Sequence, residues 1–102
     1  MIFVYVNCKN KEEADSFLKR VLNQKLAAWV DFFKSNSIYF DGDKINKEER
    51  IILILQTQES KLQELEDAAR ELIIKQDMPP AIVSFLIYRL NKEYKDWLTT
   101  RI

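Results

Sequence analysis

Only one glycine occurs in the 102 residues, and it follows an aspartate between two stretches rich in β-branched and aromatic side chains. Asp41-Gly42 supports the positive backbone angles of a tight hairpin turn, so Ile38-Tyr39-Phe40 is expected to fold back onto the segment around Lys44-Ile45. The returning stretch ends in Ile51-Ile52-Leu53-Ile54-Leu55, apolar at every position and therefore suited to the middle of a sheet. Upstream, Leu26 to Phe40 carries polar interruptions at Asp31 and at Lys34-Ser35-Asn36-Ser37, which predicts a strand bulged or broken midway.

The remaining elements flank this hairpin. Ile2 to Val6 reads as a strand, and Asn10 with Glu13 has the spacing of a reciprocal helix cap. In the helix from Lys11 to Gln24, Ala14, Phe17, Leu18, Val21 and Leu22 form one apolar stripe that should cover a sheet. Ser60 with Gln63 repeats the cap, and Leu62, Leu65, Ala69, Leu72 and Ile73 make a second stripe running to about Lys75, where Met78-Pro79-Pro80 stops it. Pro80 fixes the start of a fourth strand from Ala81 to Ile87. Asn91 then caps a short last helix on which Tyr94, Trp97 and Leu98 share a face. Strand, helix, strand, strand, helix, strand predicts an α+β, ferredoxin-like βαββαβ sandwich with an additional C-terminal helix, a single domain over residues 1–102. The first and third strands are expected at its centre and both main helices on one face. The other face needs a cover, supplied either by symmetry mates or in part by the last helix.

Composition narrows the function. There is no histidine and one cysteine, so the usual neutral-pH acid–base groups and transition-metal ligands are nearly absent. Cys8, at the end of an apolar strand, is read as a small buried hydrophobe. Glu12-Glu13 and Glu48-Glu49 are sequence neighbours whose side chains diverge, and Ser35 and Ser37 have no histidine to activate them, so no enzyme is expected. Sixteen basic residues balance sixteen acidic ones, which leaves no positive field to hold nucleic acid or an anionic membrane. The start, Met1-Ile2-Phe3-Val4-Tyr5, shows neither a basic leader nor a cleavage site and predicts a cytoplasmic location.

Six blocks in register, Leu26-Ala27-Ala28-Trp29-Val30, Ser37-Ile38-Tyr39, Lys44-Ile45, Gln56-Thr57, Pro80-Ala81-Ile82 and Asn91 to Leu98, make the chain resemble the CutA divalent-cation-tolerance family. The resemblance implies a homotrimer built around a long β2–β3 hairpin, a cytoplasmic location and a non-enzymatic role in the response to divalent metal ions. It also implies that Tyr39, Lys44, Tyr94 and Trp97 lie near clefts between subunits, where a ligand or partner protein is captured. Packing is the simpler role for Tyr94 and Trp97, and Lys44 faces either an anionic ligand or water.

The departures from the family's pattern fall on its chemistry. Trp29 stands where the family carries a cysteine, Asp31 replaces an asparagine, and Lys75-Gln76-Asp77-Met78 replaces a block that begins with histidine. The hairpin glycine comes one place early, with Asp43 in its family position. Copper and zinc select thiolate and imidazole over scattered carboxylates, so Asp31, Asp41, Asp43 and Asp77 are read as solvated surface and no metal ligand or cofactor is assigned. An alternative from another class is a trimeric small-molecule regulator resembling the PII proteins. The glycine-containing or basic phosphate loop expected of such a protein is missing.

Overall fold

Strand β3 (Lys44–Thr57) organises the sheet because it is long enough to serve two neighbours at once. The computed structural model, which describes residues 1–73 and 81–102, orders the four strands β2-β3-β1-β4, with β1 at Ile2–Cys8, β2 at Trp29–Asp41 and β4 at Ala81–Leu86. All three pairings are antiparallel. The first and third strands are central, as their apolar sequences require.

β1 pairs with β3 only from Ile2↔Thr57 to Cys8↔Ile51, whereas β2 follows β3 from Trp29↔Gln56 out to Asp41↔Lys44. The excess length projects as a two-stranded arm, and the chain's longest dimension is 47 Å. The expected bulge in β2 does not occur, since its register is unbroken over the whole strand. Lys34-Ser35-Asn36-Ser37 lie where the ribbon leaves the sheet, so their polarity matches solvent on both faces.

Alternation along β1 separates two faces. Ile2, Val4, Val6 and Cys8 are buried, and with Leu53 and Leu55 they pack against Ala14, Phe17 and Val21 of α1 (Lys11–Asn23) and Leu65, Ala68 and Ala69 of α2 (Leu62–Leu72). The stripe predicted for α1 is narrower than expected, because Leu22 is 60% exposed. Phe3, Tyr5 and Asn7 point to the other face, on which α3 (Lys92–Arg101) supplies part of the cover.

Helix ends decide where these elements begin and stop. At α1, Asn10 Oδ1 accepts from the Glu13 amide at 2.9 Å and Glu13 Oε1 accepts from the Lys9 amide at 2.7 Å. Its C-terminus is a full Schellman motif, with Leu26 N–H donating to Val21 O at 2.8 Å and Lys25 N–H to Leu22 O at 3.3 Å. The second capping box does not form. Ser60 lies inside a 3₁₀ turn (Glu59–Lys61), and Gln63 Nε2 donates forward to Asp67 instead. Asn91 does stand at the N-cap of α3, although its side chain bonds to Glu93 rather than to the helix backbone. α2 ends at Leu72 and β4 at Leu86, each short of the expected limit. Lys75, Asp77 and Met78-Pro79-Pro80 lie outside the described residues.

The hairpin loop is Gly42-Asp43, one residue beyond the dipeptide that announced it, and Gly42 alone there has a positive φ, of 65°. Among the described residues Lys25 is the non-glycine residue with positive φ, at 52°, in the position where helices favour glycine. Two opposite substitutions test this backbone accounting. Gly42→Ala meets no atom within 4 Å, so its expected loss of about 1–2 kcal/mol is conformational. Lys25→Gly is expected to gain about 0.5–1 kcal/mol. Urea midpoints should move in opposite directions at unchanged m-value.

Candidate functional site

The four expected cleft residues fall into two groups within one chain. Tyr39 and Lys44 stand at the far end of the arm, while Tyr94 and Trp97 on α3 meet Trp29 at the opposite end of β2. Ten residues of extended strand separate Trp29 from Tyr39, about 33 Å at the usual rise. One chain therefore brings Tyr94 and Trp97 together and holds them away from Tyr39 and Lys44, which lie two register positions apart at the hairpin end.

The α3 group is an aromatic cluster. The Tyr94 and Trp97 rings stack with centroids 6.0 Å apart and planes 12° from parallel, and Trp29 meets both edge-on at 6.2 and 6.0 Å. One helical turn separates Tyr94 from Trp97, which puts both on the side of α3 that faces the sheet. The Tyr94 hydroxyl donates to Gln56 Oε1, the register partner of Trp29, and this bond pins the helix to the end of β3. Trp29 Nε1–H donates to Asp31 Oδ1 at 3.2 Å. Burial, followed by the negative charge of Asp31, holds the Tyr94 phenol above its ordinary pKa. Arg101 adds a cation, its guanidinium carbon lying 4.9 Å from the centre of the Trp97 ring.

A second group, unanticipated from sequence, sits at the root of the arm on the same face. Arg50 is 5% exposed; its Nε donates to Asn7 Oδ1 at 2.6 Å and its Nη1 to Glu48 Oε1, which also accepts from the Tyr39 hydroxyl at 3.1 Å. Asn7 Nδ2 reaches the Tyr5 hydroxyl at 3.3 Å. A charged residue immediately before an apolar run was the available signal, because strand alternation puts Arg50, Ile52 and Ile54 on one face. The network ties the arm to β1 and uses the hydrogen-bonding capacity that burial demands.

Copper or zinc does not fit these residues. Cys8 is sealed in the core on the helix side, and indole at position 29 has no lone pair to offer a metal. Asp31 is engaged by Trp29, Asp41 accepts from Asn46 at 3.3 Å, and the two aspartates are ten residues apart on one strand. Among the described residues no three His, Cys, Asp or Glu side chains converge as a metal site.

An α+β protein whose described residues form a four-stranded antiparallel sheet, three α-helices, a projecting hairpin and an aromatic cluster under the last helix is the class that this geometry defines. Residues 2–101 match the family model for the CutA1 divalent ion tolerance protein, and the chain belongs to that family. It is 31% identical over 96 residues to the divalent-cation tolerance protein CutA of Archaeoglobus fulgidus, covering 94% of this chain and 92% of that one. The Pyrococcus horikoshii protein of the same name is 30% identical over 98 residues, 96% of this chain and 94% of its own. Among solved structures, A. fulgidus CutA superposes with a TM-score of 0.90 at 30% identity, covering 99% of this chain and 98% of that one. Oryza sativa CutA1 gives 0.88 at 29% identity, with coverage of 98% and 91%.

The expected cytoplasmic location is corrected by this comparison. The A. fulgidus structure is described as that of a periplasmic divalent cation tolerance protein, and the residues at the start of a chain do not outweigh that relative. No helix among the described residues is long and apolar enough to cross a membrane.

The raised pKa of Tyr94 has a definite sign. The folded state favours the neutral phenol, so the associated stability is complete below the ordinary tyrosine range and is lost as pH rises through the elevated folded value. The Tyr94 phenolate signal, isolated as the absorbance difference between wild type and Tyr94→Phe, should appear at higher pH than that of free tyrosine. Asp31→Asn should move it part of the way back, because burial remains.

Proposed function

We propose that this chain is a non-enzymatic divalent-cation-tolerance protein that works as a homotrimer of ferredoxin-like subunits and captures a ligand or partner in the clefts between them. Family membership over residues 2–101 supports the tolerance role. The observation that carries the assembly is the arm. Phe32, Ile38, Phe40 and Ile45 lie on one face of the β2–β3 ribbon and are 67%, 67%, 77% and 62% exposed. Leaving such side chains in water forgoes about 1.5–3 kcal/mol each relative to full burial. A patch of that kind calls for a partner, and a ring of three identical subunits closes without leaving an unmatched arm. On this reading Tyr39 and Lys44 meet the Tyr94 and Trp97 region only across a subunit boundary, because about 33 Å of strand divides them within one chain.

Light scattering on the purified protein should give three times the 12.2 kDa chain mass. A stable monomer would remove the cleft. Direct ligation of copper or zinc is not part of the proposal, since Trp29 and Lys75 occupy the thiolate and imidazole positions. Calorimetric titration with either metal should accordingly show no stoichiometric sub-micromolar binding. The PII-like alternative stays second: it rests on the fold class alone, and Gly42 serves the hairpin turn rather than a phosphate loop.

A further inference from the structure

We infer that the surface formed by Trp29, Trp97 and Asp31 is a binding site for a small organic cation, a quaternary ammonium or guanidinium group seated on indole faces beside a carboxylate. This deepens the reading of the α3 cluster as a capture surface and rests on it, since the proposed trimer brings a neighbouring arm to the same region; mass measured beside binding tells the failure of one from the failure of the other.

Three observations converge on that chemistry. Within one chain Trp29 and Trp97 are 45% and 36% exposed although they pack on each other, so the cluster itself leaves indole surface uncovered. Ring faces carry the negative part of the aromatic quadrupole and attract cations with weakly held hydration shells, and indole does so best. The second observation is an occupant. The Arg101 guanidinium already lies over Trp97, at 4.9 Å, and shows which kind of group this ring accepts. It comes from an exposed residue in the last turn of α3, so displacing it breaks no core packing.

The third observation is the carboxylate. Asp31 is exposed, is oriented by the Trp29 indole N–H, and has no ion-pair partner among the described residues. Its charge reaches the cluster, since it acts on the Tyr94 phenol. Glu93, one turn before Trp97, adds a second carboxylate to that side of α3, held in its charged form by hydrogen bonds from its own backbone N–H and from Asn91. An anion would meet both ring faces and these charges unfavourably. A hard inorganic ion would require more oxygen ligands than the site offers. A diffuse organic cation needs neither dehydration of a tight shell nor a full coordination sphere.

The chain has two tryptophans, so the indole N–H resonances of ¹⁵N-labelled protein report the site directly. Choline chloride should shift both signals along a saturable curve, while sodium chloride at matched ionic strength should not. Arg101→Ala, which removes the internal competitor, should tighten choline binding by about two- to fivefold, and Asp31→Asn should weaken it by a similar factor. Trp97→Leu should abolish saturation of the remaining signal. Should that variant not fold, the Arg101 and Asp31 variants decide the matter alone. Shifts that follow ionic strength alone, or a choline affinity unaltered by both of those substitutions, would overturn the proposal. Mass measured on the same samples keeps a loss of assembly from passing as a loss of binding.

Discussion

The pairing of β3 with two strands of unequal length is the constraint on which the rest of the molecule depends. Where β3 is flanked on both sides, its residues must satisfy a dry helix-covered face and a second face that α3 covers only in part. Where β1 stops at Cys8↔Ile51, the same strand becomes half of an exposed ribbon. The composition changes at that boundary, from Lys47-Glu48-Glu49-Arg50 to five consecutive aliphatic residues. Arg50 sits at the change itself. Its guanidinium joins Glu48 on the arm to Asn7 on β1, so the direction in which the arm leaves the sheet is held by a charged, nearly buried group rather than by apolar packing. A group of this kind costs more to strip of its partners than it adds as a pair, which makes it a device for fixing geometry more than for raising stability.

Much of this was legible in the sequence because local rules governed it. The Asn10 cap, the apolar β3 run and the glycine hairpin each act through a few neighbouring residues; the first two appear where their residues announce them and the hairpin loop only one residue away. Misreadings occurred where one local rule competed with another or with tertiary context. Ser60 has the spacing of a cap, but the chain enters α2 through a 3₁₀ turn that places the hydroxyl elsewhere. Lys34-Ser35-Asn36-Ser37 resembles an interruption when the strand is read alone, and becomes ordinary once both faces of the ribbon are known to be wet.

The candidate site was less legible for a physical reason. Tyr94 and Trp97 could be paired from helical spacing, but their partner Trp29 is more than sixty positions away and attracted notice only as a replacement for a cysteine. No periodicity connects the start of one strand to the last helix. The indole at position 29 makes the start of β2 the edge-on member of an aromatic triad, which offers ring surface and no lone pair for a metal.

The arm also bears on how the chain assembles. Gly42 joins strands whose first partners are only a few positions apart, so its ribbon can zip from the turn with little loss of chain entropy. β1 instead waits for partners beginning some forty to eighty residues downstream, at Ile51 and Ala81. Non-local pairings of that sort slow folding, whereas local ones give it somewhere to start. The part of the molecule with least to hold it against the body is thus the part best able to form first, and it supplies a finished edge on which the remaining sheet can grow.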